Sequence, residues 1–544
     1  MAQSYLSLSD LTFTWPDGEP VFDSLDAVFG PGRTGVVGHN GSGKSTLLRL
    51  IAGRLHADRG SVTAQGEVAY LPQDITLDPA LKVDRILGIA DLRAALHRIE
   101  SGDGTPEDFD AATGRWDIEE RAVSTLHRLG LERVLGSTSD LDRTVGTLSG
   151  GETVLLGLTA QLLKEPEVLL LDEPTNNLDS ASRSKLYEVV QQFPGTLLVV
   201  SHDRDLLDLM NSVAELRGGE IRMFGGNFSA YQEIVEAEQE AARAAVRDAR
   251  SDVQKQKREL VEARIKIDRR KRYGQKMFEN KREPKIVMGL RKRQAQESAG
   301  KLRNNHIAKV DEARESLTEA ESALRDDREV RIDLPATEVH SGQEVVSVRD
   351  VSLLSGQEVS LDVVGPERIA LVGRNGVGKT TLLDAVVAAG PRVPFKALPQ
   401  RLDVFDESLT VAENVAAAAP HASQEQIRAQ LARFLFRGND SDMLASALSG
   451  GERLRAALAT ILLAEPAPRL LLLDEPTNNL DLPSLAHLTQ ALRSYRGALI
   501  VVSHDRQFLH DIGVTRWLEL TDEALRTCAP FRWPRLPERR TGGA

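Results

Sequence analysis

Runs of leucine, isoleucine and valine recur near both ends of the chain, and helix-like stretches separate them. Examples are RTGVVG at 33–38, VLLLDEP at 168–174 and TLLVVSH at 196–202. Continuous apolar runs of this length are typical of strands buried on both faces, and their alternation with helices is typical of a parallel sheet with crossover helices. The pattern therefore predicts an α/β fold in both parts of the chain.

Residues 232–330 have a different pattern, because their apolar positions fall seven residues apart in two series. The first series is Val246, Val253, Leu260 and Ile267, and the second is Val310, Leu317 and Leu324. A seven-residue spacing predicts helices with one apolar seam, and two such series predict an antiparallel helical hairpin. Four residues at its far end are expected to interrupt the helices: Gly274, Pro284, Gly289 and Gly300.

Composition excludes several classes of protein. The 544 residues suffice for two or three domains, each with its own core. No run of about 18 apolar residues is present, and the first residues, MAQSYLSLSDL, lack the features of a signal peptide. The single cysteine, Cys528, excludes an internal disulfide framework and a multi-cysteine zinc site. We therefore expect a cytoplasmic protein without a membrane partner.

Charge is distributed unevenly along the chain. The whole chain carries −12, but residues 241–310 contain 22 Lys and Arg against 8 Asp and Glu, a net charge of +14. The rest of the chain is therefore strongly acidic. A basic insert in an acidic protein predicts a polyanionic partner for the helical hairpin. A solvated coiled coil kept soluble by its basic residues remains the alternative interpretation.

Four motifs occur twice, in the same order. They are GHNGSGKST at 38–46 and GRNGVGKTT at 373–381, LSGGE at 148–152 and 448–452, LLLDEPTNNLD at 169–179 and 471–481, and VVSHDR at 199–204 and 501–506. Such a repeat predicts two copies of one domain. We place the first domain at 1–231, with an extra helical arm at about 91–130, the basic hairpin linker at 232–330, and a more compact second domain at 331–544.

The first motif has the form GxxxxGK[ST], which binds phosphates. Its glycines let successive backbone N–H groups point inward, and the following helix contributes its positive N-terminus. Lys44 and Lys379 are placed to reach the β- and γ-phosphates. The candidate ATP contacts of the two loops are Gly38, Asn40, Gly41, Gly43, Lys44, Ser45 and Thr46, and Gly373, Asn375, Gly376, Gly378, Lys379, Thr380 and Thr381.

The remaining motifs provide candidates for Mg²⁺ binding and for hydrolysis. Hydroxyl and carboxylate oxygens are suitable Mg²⁺ ligands, and the following glutamates can polarise an attacking water. The Mg²⁺ candidates are Ser45, Gln73 and Asp172 in the first copy and Thr380, Gln400 and Asp474 in the second. The catalytic candidates are Glu173, His202 and Gln73, and Glu475, His504 and Gln400. We therefore expect both copies to be competent for ATP hydrolysis.

These motifs, LSGGE above all, resemble those of the ABC ATPase superfamily. The resemblance implies two P-loop ABC domains that face head to tail, with each ATP between the phosphate loop of one domain and the signature of the other. One site would pair Lys44 with Ser449, Gly450 and Gly451, and the other would pair Lys379 with Ser149, Gly150 and Gly151. The protein would then be a monomer whose two ATPase domains pair within the chain.

Two ABC domains joined by a charged helical hairpin resemble the ABC-F family over nearly the whole chain. The segments GGNFSAY at 225–231 and KIVMGLRKRQAQESAGK at 285–301 are similar to the entry and the tip of that family's linker. The resemblance implies binding to ribosomal RNA and transfer RNA. Basic and aromatic residues suit that task, and the candidates are Arg272, Tyr273, Lys276, Phe278, Arg291, Lys292 and Arg293.

The two copies differ where the base of ATP would bind. Trp15 stands where the family commonly has an aromatic residue that stacks on adenine, and Phe13 is a rival for this role. Residues 335–394 of the second copy contain no aromatic residue. We therefore expect the second site to hold adenine less well.

The leading functional interpretation is an ATPase that binds the ribosome in its ATP-closed state and leaves after hydrolysis. It would modulate translation or protect the ribosome from antibiotics, and the sequence leaves open which of these it does and which drug class is involved. The alternative is the ATPase subunit of a drug exporter with a separate membrane subunit, in which the basic hairpin has no evident task. A DNA-repair or chromosome-type ATPase would require zinc-binding cysteines or far longer coiled coils.

Overall fold

The computed structural model forms two compact units, Met1–Phe228 with Glu329–Ala544 and Ser229–Arg328. The first unit contains both ATPase modules, and the second is helical. The residues that the structure describes are 5–73, 78–176, 178–279, 285–322, 334–353, 356–398, 405–478 and 480–529.

The first module is a mixed α/β domain. Its elements are β1 (Leu6–Thr14), β2 (Pro20–Phe29), β3 (Gly32–Val37), α1 (Lys44–Ile51), β4 (Arg59–Ala64), β5 (Val68–Leu71), α2 (Val83–Ile86), α3 (Ala90–Ser101), α4 (Pro106–Ala112), α5 (Ile118–Arg128), α6 (Gly150–Leu162), β6 (Val168–Asp172), α7 (Ser180–Gln192), β7 (Thr196–Val200), α8 (Arg204–Leu207), β8 (Ser212–Arg217) and β9 (Glu220–Gly225), with short 3-10 helices at Thr138–Asp142 and Val145–Thr147. The central sheet has the order β5-β6-β7-β3-β8-β9, and a second sheet has the order β2-β1-β4. Strands β6 and β7 are buried along their whole length, as their continuous apolar sequences predict.

The second unit contains two long helices, α9 (Phe228–Glu279) and α10 (Lys285–Ser322). Arg250 on α9 is 2.7 Å from Glu321 on α10, which brings the middle of α9 to the end of α10. Val246, Val253 and Val310 are buried, in agreement with the apolar seam. The helices pass through Gly274, Gly289 and Gly300 without interruption, so that expectation was wrong. Glycine lowers helix stability by only about 1 kcal/mol, so a single glycine need not end a long helix. Pro284 lies outside the described residues.

The second module repeats the first. Its elements are β10 (Glu344–Ser352), β11 (Glu358–Val364), β12 (Arg368–Gly373), α11 (Lys379–Ala388), β13 (Phe395–Leu398), α12 (Val411–Ala418), α13 (Gln424–Arg433), α14 (Gly450–Leu462), β14 (Leu470–Asp474), α15 (Leu482–Ser494), β15 (Ala498–Val502), α16 (Arg506–Asp511), β16 (Arg516–Leu520) and β17 (Leu525–Cys528), with 3-10 helices at Pro335–Thr337, Gly438–Asp442 and Ala445–Ala447. The central sheet has the order β13-β14-β15-β12-β16-β17. This is the strand order of the first module, so the sequence repeat is also a structural repeat.

Helices α3, α4 and α5 occupy the region predicted to be an extra arm. Arg93 is buried there and lies 2.7 Å from Asp84 and 2.6 Å from Glu119. Thr105 caps α4 through a reciprocal capping box with Asp108, which satisfies backbone N–H groups at the start of that helix. The ion pairs and the cap add to the buried apolar side chains Leu96, Ile118 and Leu126 in holding these three short helices.

No helix in these described ranges is both long enough and apolar enough to cross a bilayer.

Candidate nucleotide-binding sites

The first phosphate loop joins β3 to α1. Lys44 is buried, and its Nζ donates hydrogen bonds to the carbonyl oxygens of Gly38 at 2.7 Å and His39 at 2.9 Å. Gly43 has a φ of 97°, and a Cβ there would lie 2.6 Å from a Val21 methyl group. Only glycine fits this backbone and this close contact. Burial lowers the pKa of Lys44, but nearby carboxylates oppose the shift.

The second phosphate loop has the same construction at the junction of β12 and α11. Lys379 Nζ donates to the carbonyl oxygens of Gly373 at 2.8 Å and Arg374 at 3.1 Å. It also lies 3.2 Å from His504 Nε2. Gly378 has a φ of 103° and begins the helix. Each lysine therefore folds back on its own phosphate loop and donates to two of the loop's carbonyl oxygens. A bound phosphate would replace these carbonyl oxygens as the acceptor.

The candidate Mg²⁺ ligands lie together at each site. Ser45 Oγ donates to Asp172 Oδ1 at 3.0 Å, and Thr380 Oγ1 donates to Asp474 Oδ2 at 2.8 Å. Among the described residues, no group of three or more His, Cys, Asp or Glu could hold a metal by itself. A pair of oxygen donors suits Mg²⁺, which keeps several waters and phosphate oxygens in its coordination shell. The residues present therefore fit the expected ion.

Tyr70 belongs to the first site and was missed by sequence reasoning. Its hydroxyl donates to Asp172 Oδ2 at 3.1 Å, which orients that carboxylate. The strand registers pair Tyr70 with Leu170 and Ala397 with Leu472, so Ala397 occupies the equivalent position in the second module. The one sequence feature that could have indicated Tyr70 is its position three residues before Gln73. Gln73 itself lies in the first site, whereas Gln400 lies outside the described residues.

The two glutamates predicted to be catalytic share an unusual backbone. Glu173 and Glu475 have φ values of 47° and 46°, in the left-handed region that non-glycine residues seldom adopt. Their N–H groups donate to Val200 O at 2.8 Å and Val502 O at 2.9 Å, on the neighbouring strands. Strain of this kind costs about 1–3 kcal/mol and is characteristic of functional positions.

Each glutamate faces the histidine of its own module. Glu173 Oε1 lies 3.3 Å from His202 Nε2, and Glu475 Oε1 lies 3.4 Å from His504 Nε2. Burial raises the pKa of Glu173 to about 8 and that of Glu475 to about 6. Burial also lowers the pKa of both histidines to about 3, so both imidazoles are neutral near pH 7. A neutral imidazole can still donate one N–H to a phosphate oxygen.

Most first-site candidates line one cavity of about 990 Å³. Trp15 is part of its wall, whereas Phe13 is buried behind it, with the ring centroids 5.1 Å apart and nearly perpendicular. The cavity also contains these candidates: Asn40, Gly41, Gly43, Lys44, Ser45, Thr46, Gln73, Glu173 and His202. Ten candidate residues of the first module, Trp15 included, therefore surround a space large enough for a nucleotide.

The signature residues begin helices. Ser149 and Ser449 are the N-cap residues of α6 and α14, and each forms a capping box with the glutamate three positions later. Gly150, Gly151, Gly450 and Gly451 form the first turns of these helices. The described cavity lining of the first site consists of first-module residues, without Ser449 or its glycines.

Contacts between the modules involve the last residue of the LLLDEPTNNLD motif. Asp481 Oδ2 accepts a hydrogen bond from Asn40 N at 2.9 Å, and Asp179 Oδ2 accepts one from Asn375 N at 3.5 Å. Each aspartate thus reaches the phosphate loop of the other module. The sequence shows that this aspartate occurs in both motifs, but it does not show that the aspartate contacts the other module.

A partly buried ionic cluster lies beside these contacts. Arg183 Nη1 is 3.1 Å from Asp203 Oδ2, which also accepts a hydrogen bond from the Tyr187 hydroxyl at 2.7 Å. Arg204 and Asp511 form an ion pair between the modules at 3.3 Å. Burial raises the pKa of Glu475 in the second module, and the guanidinium of Arg183 opposes that rise. The cluster therefore connects the first module's His202 segment with the second site.

Three RNA-binding candidates have described side chains. Arg272, Tyr273 and Lys276 are exposed on α9, and Tyr273 is 69 % exposed. The side chains of Phe278, Arg291, Lys292 and Arg293 lie outside the described part of the chain.

Comparisons with known proteins agree with this architecture. Residues 27–176 match a family model described as ABC transporter, and residues 388–510 match one described as AAA domain, putative AbiEii toxin, Type IV TA system. The archaeal ribosome recycling factor aABCE1, solved with the ribosomal stalk protein aP1, has the same fold, with a TM-score of 0.56 and 19 % identity over 95 % of this chain and 89 % of that chain.

Curated relatives are similar over most of their length. The tylosin resistance ATP-binding protein TlrC of Streptomyces fradiae is 34 % identical over 93 % of this chain and 95 % of its own. The energy-dependent translational throttle protein EttA of Escherichia coli K12 is 31 % identical over 96 % of this chain and 93 % of its own. With two ABC ATPase domains and relatives of this kind, the chain is an ATPase and belongs to the ABC-F family.

Proposed function

We propose that this ATPase binds the ribosome through its Ser229–Arg328 unit and uses ATP hydrolysis to end that binding. The observation that carries the proposal is the net charge of +14 over residues 241–310 of the two-helix unit, in a chain that is otherwise acidic. Exposed Arg272 and Lys276 suit phosphate backbones, and Tyr273 suits base stacking. The names of the relatives TlrC and EttA refer to antibiotic resistance and to translation, which supports a ribosomal task in the cytoplasm.

The two ATP sites would form between the modules. Lys44 would leave the carbonyl oxygens of Gly38 and His39 and bind the β- and γ-phosphates. Ser45 and Asp172 would hold Mg²⁺, which neutralises the charge that develops on the phosphates. Lys379, Thr380 and Asp474 would have the same tasks in the second site.

Hydrolysis would depend on the glutamate–histidine pairs. Glu173 and Glu475 would orient a water and accept its proton as it attacks the γ-phosphate. His202 and His504 would each donate an N–H to a γ-phosphate oxygen. The signature helices, beginning at Ser149 and Ser449, would complete the sites when the modules close, because their free N–H groups attract anions.

Closure would then report the nucleotide state to the ribosome. Loss of the γ-phosphate removes the contacts that hold Ser449 to the first site and Ser149 to the second, so the modules separate and the protein leaves. This two-state scheme makes binding depend on ATP, without any chemical change in the RNA.

The test is co-sedimentation of the Glu173→Gln, Glu475→Gln protein with purified ribosomes. We expect it to pellet with ribosomes in ATP but not without nucleotide, because glutamine preserves binding and blocks hydrolysis. The matched control is the Lys44→Ala, Lys379→Ala protein, which should not pellet in either condition. Equal pelleting with and without ATP would contradict the nucleotide switch. No pelleting in any condition would contradict the ribosomal function and favour an exporter subunit, to be tested with membranes.

A further inference from the structure

The loop beside the base in the first module has an equivalent in the second. Trp15 N donates to Glu19 O at 2.9 Å, and Leu353 N donates to Gln357 O at 2.9 Å. In both modules this bond closes a loop of equal length between the first two strands. A glycine with positive φ, Gly18 or Gly356, also donates to the first loop residue at 2.8 Å in each case. Leu353 therefore occupies the position of Trp15, and Gln357 that of Glu19.

The replacement of Trp15 removes an aromatic surface from the second site. Leu353 is buried, and a Cβ on Gly378 would lie 3.6 Å from its Cδ1 atom. Leu353 therefore packs against the phosphate loop of the second module. An aliphatic side chain at this position can contact a base but cannot stack on it as an indole does.

Gln357 has an unusual environment. Its side chain is only 7 % exposed, and neither its Oε1 nor its Nε2 has a hydrogen-bond partner within the described structure. A buried polar atom without a partner costs about 1–3 kcal/mol, so few such groups persist unless a ligand or ordered water binds them. A whole carboxamide in this state indicates a binding site for a molecule with both a donor and an acceptor.

We propose that the Gln357 carboxamide binds the edge of the purine base of ATP at the second site, in place of aromatic stacking. Glu19 at the equivalent position lines the first-site cavity together with Trp15, which puts Gln357 on the base side of the second site. The carboxamide offers one acceptor and an NH₂ donor, and adenine offers its N6 amino donor beside the N7 acceptor. The inference rests on the proposed function, because it requires a nucleotide at Lys379.

The two sites thus recognise the base in different ways. The first site uses the face of Trp15, which accepts any purine ring. The second site uses directed hydrogen bonds, which respond to the groups on the edge of the base. An ATP analogue that keeps the ring but lacks the 6-amino group distinguishes the two modes.

The experiment uses full-length protein with Lys44→Ala, so that nucleotide binds at the second site. Calorimetry compares ATP with purine riboside triphosphate, which lacks the 6-amino group. With Gln357 present, we expect the analogue to bind about tenfold more weakly than ATP, the effect of losing one hydrogen bond of about 1.4 kcal/mol. Adding Gln357→Met should weaken ATP binding by a similar factor and abolish the difference between the two nucleotides. In the Lys379→Ala protein, where the first site binds, the difference should be small.

Thermal unfolding without nucleotide separates this role from a structural one. Gln357→Met should leave Tm unchanged or raise it, because it removes a buried amide that has no partner. The matched control is Gln430→Met on α13, since Gln430 Oε1 is also buried without a partner among the described residues. This control should leave both nucleotide affinities unchanged.

Three outcomes would overturn the inference. Unchanged ATP affinity and base discrimination in Gln357→Met would remove Gln357 from base binding while leaving the proposed function intact. A Tm several degrees lower would indicate that ordered water makes the amide structural. Absence of ATP binding in the Lys44→Ala protein itself would contradict the second nucleotide site, and the inference with it.

Discussion

Asp481 Oδ2 in the second module accepts a hydrogen bond from the backbone N–H of Asn40, in the phosphate loop of the first module, at 2.9 Å. The reciprocal distance between Asp179 and Asn375 is 3.5 Å. The aspartates also cap α15 and α7 by accepting from Ser484 N and Ser182 N. Each carboxylate therefore holds its own helix with one oxygen and the other module with the second.

Replacement of Asp481 by serine separates these two tasks. Serine caps helices about as well as aspartate, so the free energy of unfolding should change by less than about 0.5 kcal/mol. Its side chain is too short to reach Asn40, and loss of a hydrogen bond to a charged group is worth about 1.5–3 kcal/mol. We expect single-turnover ATP hydrolysis at the first site to fall about tenfold or more.

Asp179→Ser is the matched variant for that measurement. Because its contact to Asn375 is longer, the loss at the second site should be smaller than the loss caused by Asp481→Ser at the first. Equal losses, or a large fall in Tm for either variant, would show that the aspartates act mainly through their own helices.

The buried glutamates predict different pH profiles at the two sites. A glutamate accepts a proton only when ionised, so hydrolysis is present above its pKa and is lost as pH falls through that value. The pKa is about 8 for Glu173 and about 6 for Glu475. Only the first site hydrolyses ATP in the Glu475→Gln protein, and only the second in the Glu173→Gln protein. As the pH is lowered, the single-turnover rate should therefore begin to fall at a higher pH in Glu475→Gln than in Glu173→Gln. A bound cation lowers the pKa of both glutamates, so the prediction concerns which pKa is higher and not the two values themselves.

Thermal unfolding of the apo protein gives an independent check. The pKa of Glu173 is higher in the folded protein than its ordinary value of 4.5, so folding binds a proton and stability declines as pH rises from 4.5 to about 8. Glu173→Gln removes this decline. The variant should gain Tm relative to wild type as pH increases, and a constant difference between pH 5 and pH 8 would refute the raised pKa.

The sequence predicted the candidate residues whose local geometry is set by residues adjacent in the sequence. Lys44, Ser45 and the signature serines lie within motifs that form one loop or one helix start, so their local geometry follows from their own sequence. Tyr70 and Asp481 have partners far away in the chain, and only the strand order and the module contacts bring them there. The positions of the two glutamates were predicted, but their left-handed backbone was not, because the hydrogen bonds to neighbouring strands impose it.

The same distinction applies to the differences between the modules. The absence of an aromatic residue in 335–394 was evident from sequence, whereas the match of Leu353 to Trp15 required the loop hydrogen bonds. Glycines in the hairpin were expected to end helices, but one glycine lowers helix stability by only about 1 kcal/mol, which a long helix tolerates. The sequence could not decide whether Phe13 or Trp15 faces the base. Two residues that are two positions apart point to the same side of a strand, and the spacing does not show which of them reaches the cavity.

We expect Arg183 to make the two sites unequal, and its replacement tests this. The equivalent position in the second module is Leu485, one of its buried core residues. Arg183→Leu removes the cationic partner of Asp203, and breaking a buried ion pair costs about 3–5 kcal/mol. The Tyr187 hydroxyl remains on Asp203, so we expect a loss near 3 kcal/mol in the free energy of unfolding measured by denaturant titration.

We expect Arg183→Leu also to change catalysis, which a residue with a purely structural role would not do. Because Arg183 lowers the pKa of Glu475, its removal should move the pH profile of the second site upward, toward that of the first. Arg183→Lys keeps the charge and should keep the profile. An unchanged profile in Arg183→Leu would confine Arg183 to stabilising the module contact.

The exposed cations of α9 test the role of the hairpin. Arg272 and Lys276 stand one helical turn apart and face solvent, so replacing both by alanine should leave helix stability and ATP hydrolysis almost unchanged. If they bind RNA phosphates, ribosome affinity of the Glu173→Gln, Glu475→Gln protein should fall, and the slope of log affinity against log salt should decrease by about 2. Lys255→Ala, Lys257→Ala removes the same charge from the earlier part of α9, where both side chains are also exposed. Equal losses from the two pairs would indicate a general charge effect, and only a larger loss from Arg272 and Lys276 assigns the contact to the far part of the helix.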